Sequence, residues 1–284
     1  MPVSLAESYR HSCAVARRTG RNFYYSFLSL PRSLARDMCV LYAFLRKTDD
    51  LGDELDFPVD ERSRQLEQWR QDLDMALAGD PGEDLILPAL ADVVRRHRVS
   101  PAWLHAVIDG VSSDLVPRTF ETFHQLRAYT YQVAGAVGLC CIEIWGHNGG
   151  EATERAIDCG TAFQLTNILR DLGEDAAVGR VYLPAEDLRR FEYGADDLRG
   201  GVRDDRFREL MRFEIARARE HYASAEKLTP LLSRPGRRVL QAMIRIYRSL
   251  LDEIERRDFD VFSKRISLSR FHKLRIALAS CLAR

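Results

Sequence analysis

The chain has 284 residues, 46% of them hydrophobic and 30% charged, with 42 basic side chains against 42 acidic ones. That mix belongs to a globular chain with a substantial core and excludes a disordered or fibrous protein. A formal net charge of zero removes the surplus of Lys and Arg on which sequence-independent nucleic-acid binding rests, so no nucleic-acid partner is expected.

The opening residues, MPVSLAESYRHS, lack the basic and apolar regions of a signal peptide. Apolar residues then recur at helical steps through 34–51, 62–77, 85–94, 104–115, 126–144, 156–172 and 207–228. A last stripe carries Val239, Met243, Ile246, Leu250 and Ile254 on one face. Gly79-Asp80-Pro81-Gly82 and His147-Asn148-Gly149-Gly150 read as turns. Ser100-Pro101 reads as an N-cap followed by proline at the first helical position. There is no sustained period-two alternation, no internal repeat and no linker long enough to mark a boundary. The expectation is an all-α protein with one domain over 1–284.

The longest apolar stretch, 133–145, is broken by Glu143 and is shorter than the ~20 residues that span a bilayer. Peripheral membrane association stays compatible with the composition, and the oligomeric state is left open. Six cysteines are scattered without a C-x-x-C pair, which predicts reduced thiols and a cytoplasmic setting. Adjacent Cys140 and Cys141 read as small core residues.

Three features carry chemistry. Asp49-Asp50-Leu51-Gly52-Asp53 closes the stripe that bears Tyr42, Phe44 and Arg46, and puts Asp49 and Asp53 one helical turn apart. Like charges so placed repel unless a cation lies between them; taken alone, the motif also fits a solvated helix end. A second pair, Asp171 and Asp175, continues a polar stripe with Gln164 and Asn167 on a helix whose other faces are apolar. Such a stripe needs a partner. Oxygen-only donors at this spacing suit Mg²⁺, which takes a few carboxylates plus waters and phosphate oxygens. Arg46 and Arg170 each precede an Asp motif and are suited to bidentate contact with a diphosphate.

The third feature is 129–138, YTYQVAGAVG, whose two interior glycines each cost roughly 1 kcal/mol in a helix. Close helix packing and a channel wall of small side chains both explain them. On a regular helix Tyr129, Val133 and Ala136/Val137 share a face, which sets a phenol at one end of such a channel. Asp196-Asp197 and Asp204-Asp205 lack a partner stripe and read as surface. The seven histidines show no metal-ligand spacing.

The segments NFYYSFLSLPRSLARDMCVLYAFLRKTDDLGDE, YTYQVAGAVG and AFQLTNILRDLGEDAAVGRVYLP resemble the trans-isoprenyl diphosphate synthases of the squalene/phytoene synthase family. The resemblance runs from about Tyr9 to Arg265. It implies an isoprenoid-synthase-type helical bundle around a central cavity and head-to-head joining of two prenyl diphosphates with Mg²⁺, or Mn²⁺ in its place. It implies Asp49, Asp53, Asn167, Asp171 and Asp175 as metal ligands, and Tyr42, Arg46, Gln164, Arg170 and Tyr247 as contacts to diphosphate or prenyl chain. Thr19-Gly20-Arg21-Asn22 matches the N-terminal diphosphate-contacting stretch, although Gly20 and Asn22 depart from the family's Ser-Lys-Ser. Tyr129 matches the tyrosine of the first half-reaction, 179–184 matches a flap over the cavity, and Lys264-Arg265 matches further diphosphate-binding bases loosely. The catalytic set is then Tyr129 with Asp49, Asp53, Asp171, Asp175, Arg46 and Arg170.

NFYYSF and LPRS resemble the bacterial hopanoid-pathway members, so farnesyl diphosphate is the expected substrate and presqualene diphosphate or squalene the expected product. Squalene would call for NADPH. The alternatives are a phytoene synthase acting on geranylgeranyl diphosphate, a terpene cyclase, and a non-enzymatic assembly subunit. The cyclase lacks its N-S-E triad here, and the assembly subunit would not need all five metal ligands.

Overall fold

The computed structural model describes residues 3–20, 24, 26–27, 30–54, 56–269 and 275–276. Arg21 and Asn22 of the expected diphosphate-contacting stretch lie outside the described residues. The described chain is helical throughout, and its nearest approach to a sheet is one isolated antiparallel bridge between His147 and Leu232. No helix among the described residues is long and apolar enough to cross a membrane.

The helices are α1 (Leu5–Thr19), α2 (Arg32–Asp53), α3 (Val59–Leu77), α4 (Leu87–His97), α5 (Pro101–Ser113) and α6 (Phe123–Thr130). After a π turn (Tyr131–Gly135) come α7 (Ala136–Trp145), α8 (Glu151–Ala177), the short α9 (Ala185–Arg190) and α10 (Ala195–Arg199), α11 (Asp205–Glu226) and α12 (Arg234–Arg256). Side-chain caps start several of them: Ser4 accepts from Glu7 N, Thr122 from Gln125 N, Asp204 from Phe207 N and Ser233 from Gly236 N. Ser100 stands at the N-cap of α5 with Pro101 next, as expected, but makes no side-chain cap bond. Asp197 and Asp204, expected at the surface, are partly exposed and accept from the main-chain N–H groups of Gly194 and Phe207.

Helix α8 runs through the middle, against α7, the π turn, α11 and α12. Its Leu165, Ile168, Leu169 and Leu172 are buried, each contributing about 1.5–3 kcal/mol through the apolar surface removed from water. Close approach is set by glycines. A Cβ on Gly160 would stand 2.6 Å from the main chain of Ala134 and Gly135, and one on Gly138 would stand 2.9 Å from Ala156 O. Gly138 therefore answers to packing, and it also borders the cavity described below.

The same logic positions the first acidic motif. Gly52 has no room for a side chain, since its Cβ would fall 2.4 Å from Val111 Cγ1, and Arg62 Nη1 donates to Gly52 O at 2.7 Å. The first contact sets the last turn of α2 against the last turn of α5, and the second ties it to α3. Trp69, buried and stacked on Phe44 with its Nε1 donating to Thr48 Oγ1 at 3.0 Å, braces the same turn from α3.

The π turn departs from the sequence expectation. It widens the helix by one residue per turn between Tyr129 and α7. Val133, Ala134, Val137 and Gly138 then face the cavity, while Ala136, expected there, is packed away. Cys140 is buried as expected, whereas Cys141 borders the cavity. The five described cysteines are free thiols.

Candidate active site

A cavity of about 980 Å³ runs through the bundle. Its lining passes from Met38 and Leu41 to Asp49 and Asp53 along α2, and from Ala156 and Cys159 to Asp171 and Asp175 along α8, so it is apolar toward the starts of these helices and charged toward their ends. Both acidic pairs border it: Asp49 and Asp53 from α2, Asp171 and Asp175 from α8. Asn167 and Gln164 line it one and two turns back along α8, with Asn167 Nδ2 donating to Gln164 Oε1 at 3.3 Å. Tyr247 of α12 is stacked on Phe163 at 4.4 Å between ring centres and hydrogen-bonds Asn167. Tyr42, Arg46, Arg170, Tyr129, Thr19, Gly20 and Arg265 border the same cavity. Of the expected site residues among the described ones, all but the exposed Lys264 border this cavity.

The electrostatics of this end are unfavourable as they stand. Asp53 and Asp175 lie in the last turns of their helices, with Asp49 and Asp171 one turn further in; the helix dipole disfavours negative charge at these ends, and neither last turn carries a base. Helix α5 ends there too, on Asp114. Burial and the charge of Asp53 push Asp49 up to about 7. Its carboxylate opens into the cavity yet is hemmed in by the walls. Burial and the charge of Asp171 likewise push Asp175 up to about 7. No hydrogen bond or ion pair joins Asp49, Asp53 or Asp175 to another described side chain.

Asp171 differs. Arg170 Nε donates to its Oδ1 at 2.8 Å, and Arg265 reaches it from the far end of the chain with bonds of 3.0 and 3.1 Å. Arg46 pairs with Asp50 along its own helix instead of with Asp49. Two arginines are therefore parked on a carboxylate at the rim of the acidic end.

Sequence reasoning missed Asp114. It stands in Ser112-Ser113-Asp114-Leu115 with no partner acid and no motif around it. Tyr129 Oη donates to its Oδ2 at 2.6 Å. The 179–184 segment lies over this end: Gly179 turns it with φ of +78°, Arg180 Nη2 donates to Asp114 O at 3.3 Å, and Tyr182 stacks on Tyr129 at 5.4 Å. Ala185 N then bonds Phe120 O at 2.8 Å, which fastens the segment down. Burial and the neighbouring Asp114 carboxylate hold the Tyr129 phenol far above its ordinary value, and burial lifts Tyr182 to about 12. The only signal in the sequence for Asp114 was its position at a helix end.

The donor set fits a small hard cation. It is oxygen-only, carries several uncompensated carboxylates and sits at three negative helix ends. Among the described residues no three His, Cys, Asp or Glu side chains close on one point. A cation held here completes its shell with waters and ligand oxygens, which is the habit of Mg²⁺.

Residues 16–272 match the squalene/phytoene synthase family. The chain is 35% identical to the 15-cis-phytoene synthase of Synechococcus elongatus over 289 aligned residues, covering 96% of this chain and 92% of that one. Among solved structures it is similar to a dehydrosqualene synthase in complex with ligand (TM-score 0.89, 27% identity, 97% of this chain and 96% of that one). It is also similar to a squalene synthase from Alicyclobacillus acidocaldarius (TM-score 0.84, 27% identity, 91% and 97%). The expectation of farnesyl diphosphate as substrate is overturned by the curated relatives, cyanobacterial and plant alike, which are named phytoene synthases. NFYYSF and LPRS carry no physical signal for the length of a prenyl chain, so the resemblance they bear does not decide it. The NADPH expectation depended on squalene as product and lapses with it.

Proposed function

The chain belongs to the squalene/phytoene synthase family of prenyltransferase-type enzymes, and from that premise we propose that it joins two geranylgeranyl diphosphates head to head to give phytoene. The reading rests on one observation above all: two carboxylate pairs share the charged end of a single deep cavity whose other end is apolar. The names of the relatives favour the C20 substrate. The family generally uses a divalent metal to bind prenyl diphosphates, and Asp49, Asp53, Asn167, Asp171 and Asp175 are the residues that would hold Mg²⁺ here. Bound Mg²⁺ supplies positive charge that draws electrons away from the scissile C–O bond.

The protein's own groups do the rest. Arg46, Arg170 and Arg265 take diphosphate oxygens, the latter two exchanging Asp171 for the ligand. Gln164, Asn167 and Tyr247 form a connected polar row that orients the head group against the apolar chain. Cleavage leaves an allylic cation. The double bond of the second substrate attacks it, and loss of a proton closes a cyclopropane. The aliphatic walls and the seated 179–184 segment exclude water, which would otherwise quench the cation.

The test is incubation of the purified protein with labelled geranylgeranyl or farnesyl diphosphate and Mg²⁺. A C40 hydrocarbon from the C20 substrate is expected, formed without a reductant. A C30 product alone, or a cyclised C15 or C20 product, would overturn the reading.

A further inference from the structure

Closing the cyclopropane requires a base, and the structure makes a lone tyrosine a poor one. Tyr129 borders the cavity at its charged end, but burial and Asp114 keep its phenol protonated. A neutral phenol accepts a proton efficiently only if its own proton can leave in the same event. The departure route is already built: Tyr129 Oη donates to Asp114 Oδ2 at 2.6 Å. Asp114 in turn faces the hydroxyl of Tyr182 and the charges of Arg180 and Arg118. Asp49 and Asp175 border the same cavity and feel the charge of Asp114.

We propose that Asp114 is a positioning residue and the proton acceptor behind Tyr129. In the step, the C–H bond of the former allylic carbon breaks and its electron pair forms the third bond of the ring. The proton goes to Tyr129 Oη while the phenolic proton passes to Asp114 Oδ2, so Tyr129 is neutral before and after. Burial, which raises Asp114 above the usual carboxylate range, makes it a stronger acceptor than a solvated aspartate. Asp114 also holds the ring: Tyr129 packs against both Tyr182 and Phe120, which touch each other, and its hydroxyl bond fixes where the oxygen points. The inference rests on the head-to-head reading above.

The experiment compares native protein with Asp114→Asn, Asp114→Glu and Tyr129→Phe, using prenyl diphosphate with and without deuterium at carbon 1, the carbon that loses the proton. In Asp114→Asn, kcat is expected to fall on the order of 10²-fold or more with KM nearly unchanged. Deuterium should then slow cyclopropane formation more than in the native protein, because proton transfer has become limiting. Asp114→Glu should recover part of the rate and Tyr129→Phe should not. Asp114→Asn turning over within about threefold of native, or slowed with the native isotope effect, overturns the relay. Failure of the native protein to form any cyclopropyl diphosphate would instead strike at the head-to-head reading itself.

Discussion

Asp171→Ala should lower turnover by on the order of 10³-fold or more while the chain still unfolds cooperatively as a helical protein. Two losses combine. One oxygen donor disappears from the acidic end, and Arg170 and Arg265 lose the carboxylate that now holds both of them at the rim. The structural penalty is smaller. Leaving the half-buried Arg170 without its acceptor costs about 1–3 kcal/mol, a shift of a few degrees in Tm. The Mg²⁺ concentration giving half-maximal rate should rise as well, which separates this variant from one that merely unfolds. Turnover within tenfold of native, with unchanged Mg²⁺ dependence, would contradict the assignment.

The second large effect concerns pH and metal together. Asp49 and Asp175 titrate near 7 in the fold against an ordinary value of 3.8. The unfolded chain releases these two protons around pH 4, whereas the folded chain keeps them to about pH 7. Between those limits the unfolded state binds fewer protons, so this contribution to stability declines as pH rises from about 4 to about 7 and is level above that. In EDTA, the native protein should therefore lose Tm relative to Asp49→Asn and Asp175→Asn on going from pH 5 to pH 8. Mg²⁺ should restore native stability at pH 8 far more than at pH 5, and should do little for either variant. Thermal denaturation across that range, with and without the ion, measures both differences. A native Tm that gains on the variants as pH rises would have the wrong sign.

How legible all this is depends on what each residue must do. Helices α2 to α5, α8, α11 and α12 announce themselves because each buries a stripe of large apolar side chains. Helix α1 does not, since its buried face is Ser8, Tyr9, Ser12 and Ala16, too small and too polar to register as a stripe. The π turn is equally silent: it inserts one residue's worth of rotation without any residue type that demands it. The two acidic pairs could be picked out because carboxylates spaced one turn apart are costly without a cation. Asp114 could not, because its significance comes from helix α5 ending where α2 and α8 also end, a fact of tertiary packing. The substrate's chain length was misjudged because NFYYSF and LPRS carry no physical signal for it.

The most direct measurement is calorimetric titration of the native protein and of Asp49→Asn and Asp175→Asn with a non-cleavable C20 thiolodiphosphate, in Mg²⁺ and in EDTA. Tight binding by the native protein that weakens at least tenfold in EDTA is expected, with comparable weakening when either α2 or α8 loses a carboxylate. Equal affinity with and without the ion, or dependence on one helix alone, would mean that the two acidic turns do not grip a common metal–diphosphate cluster.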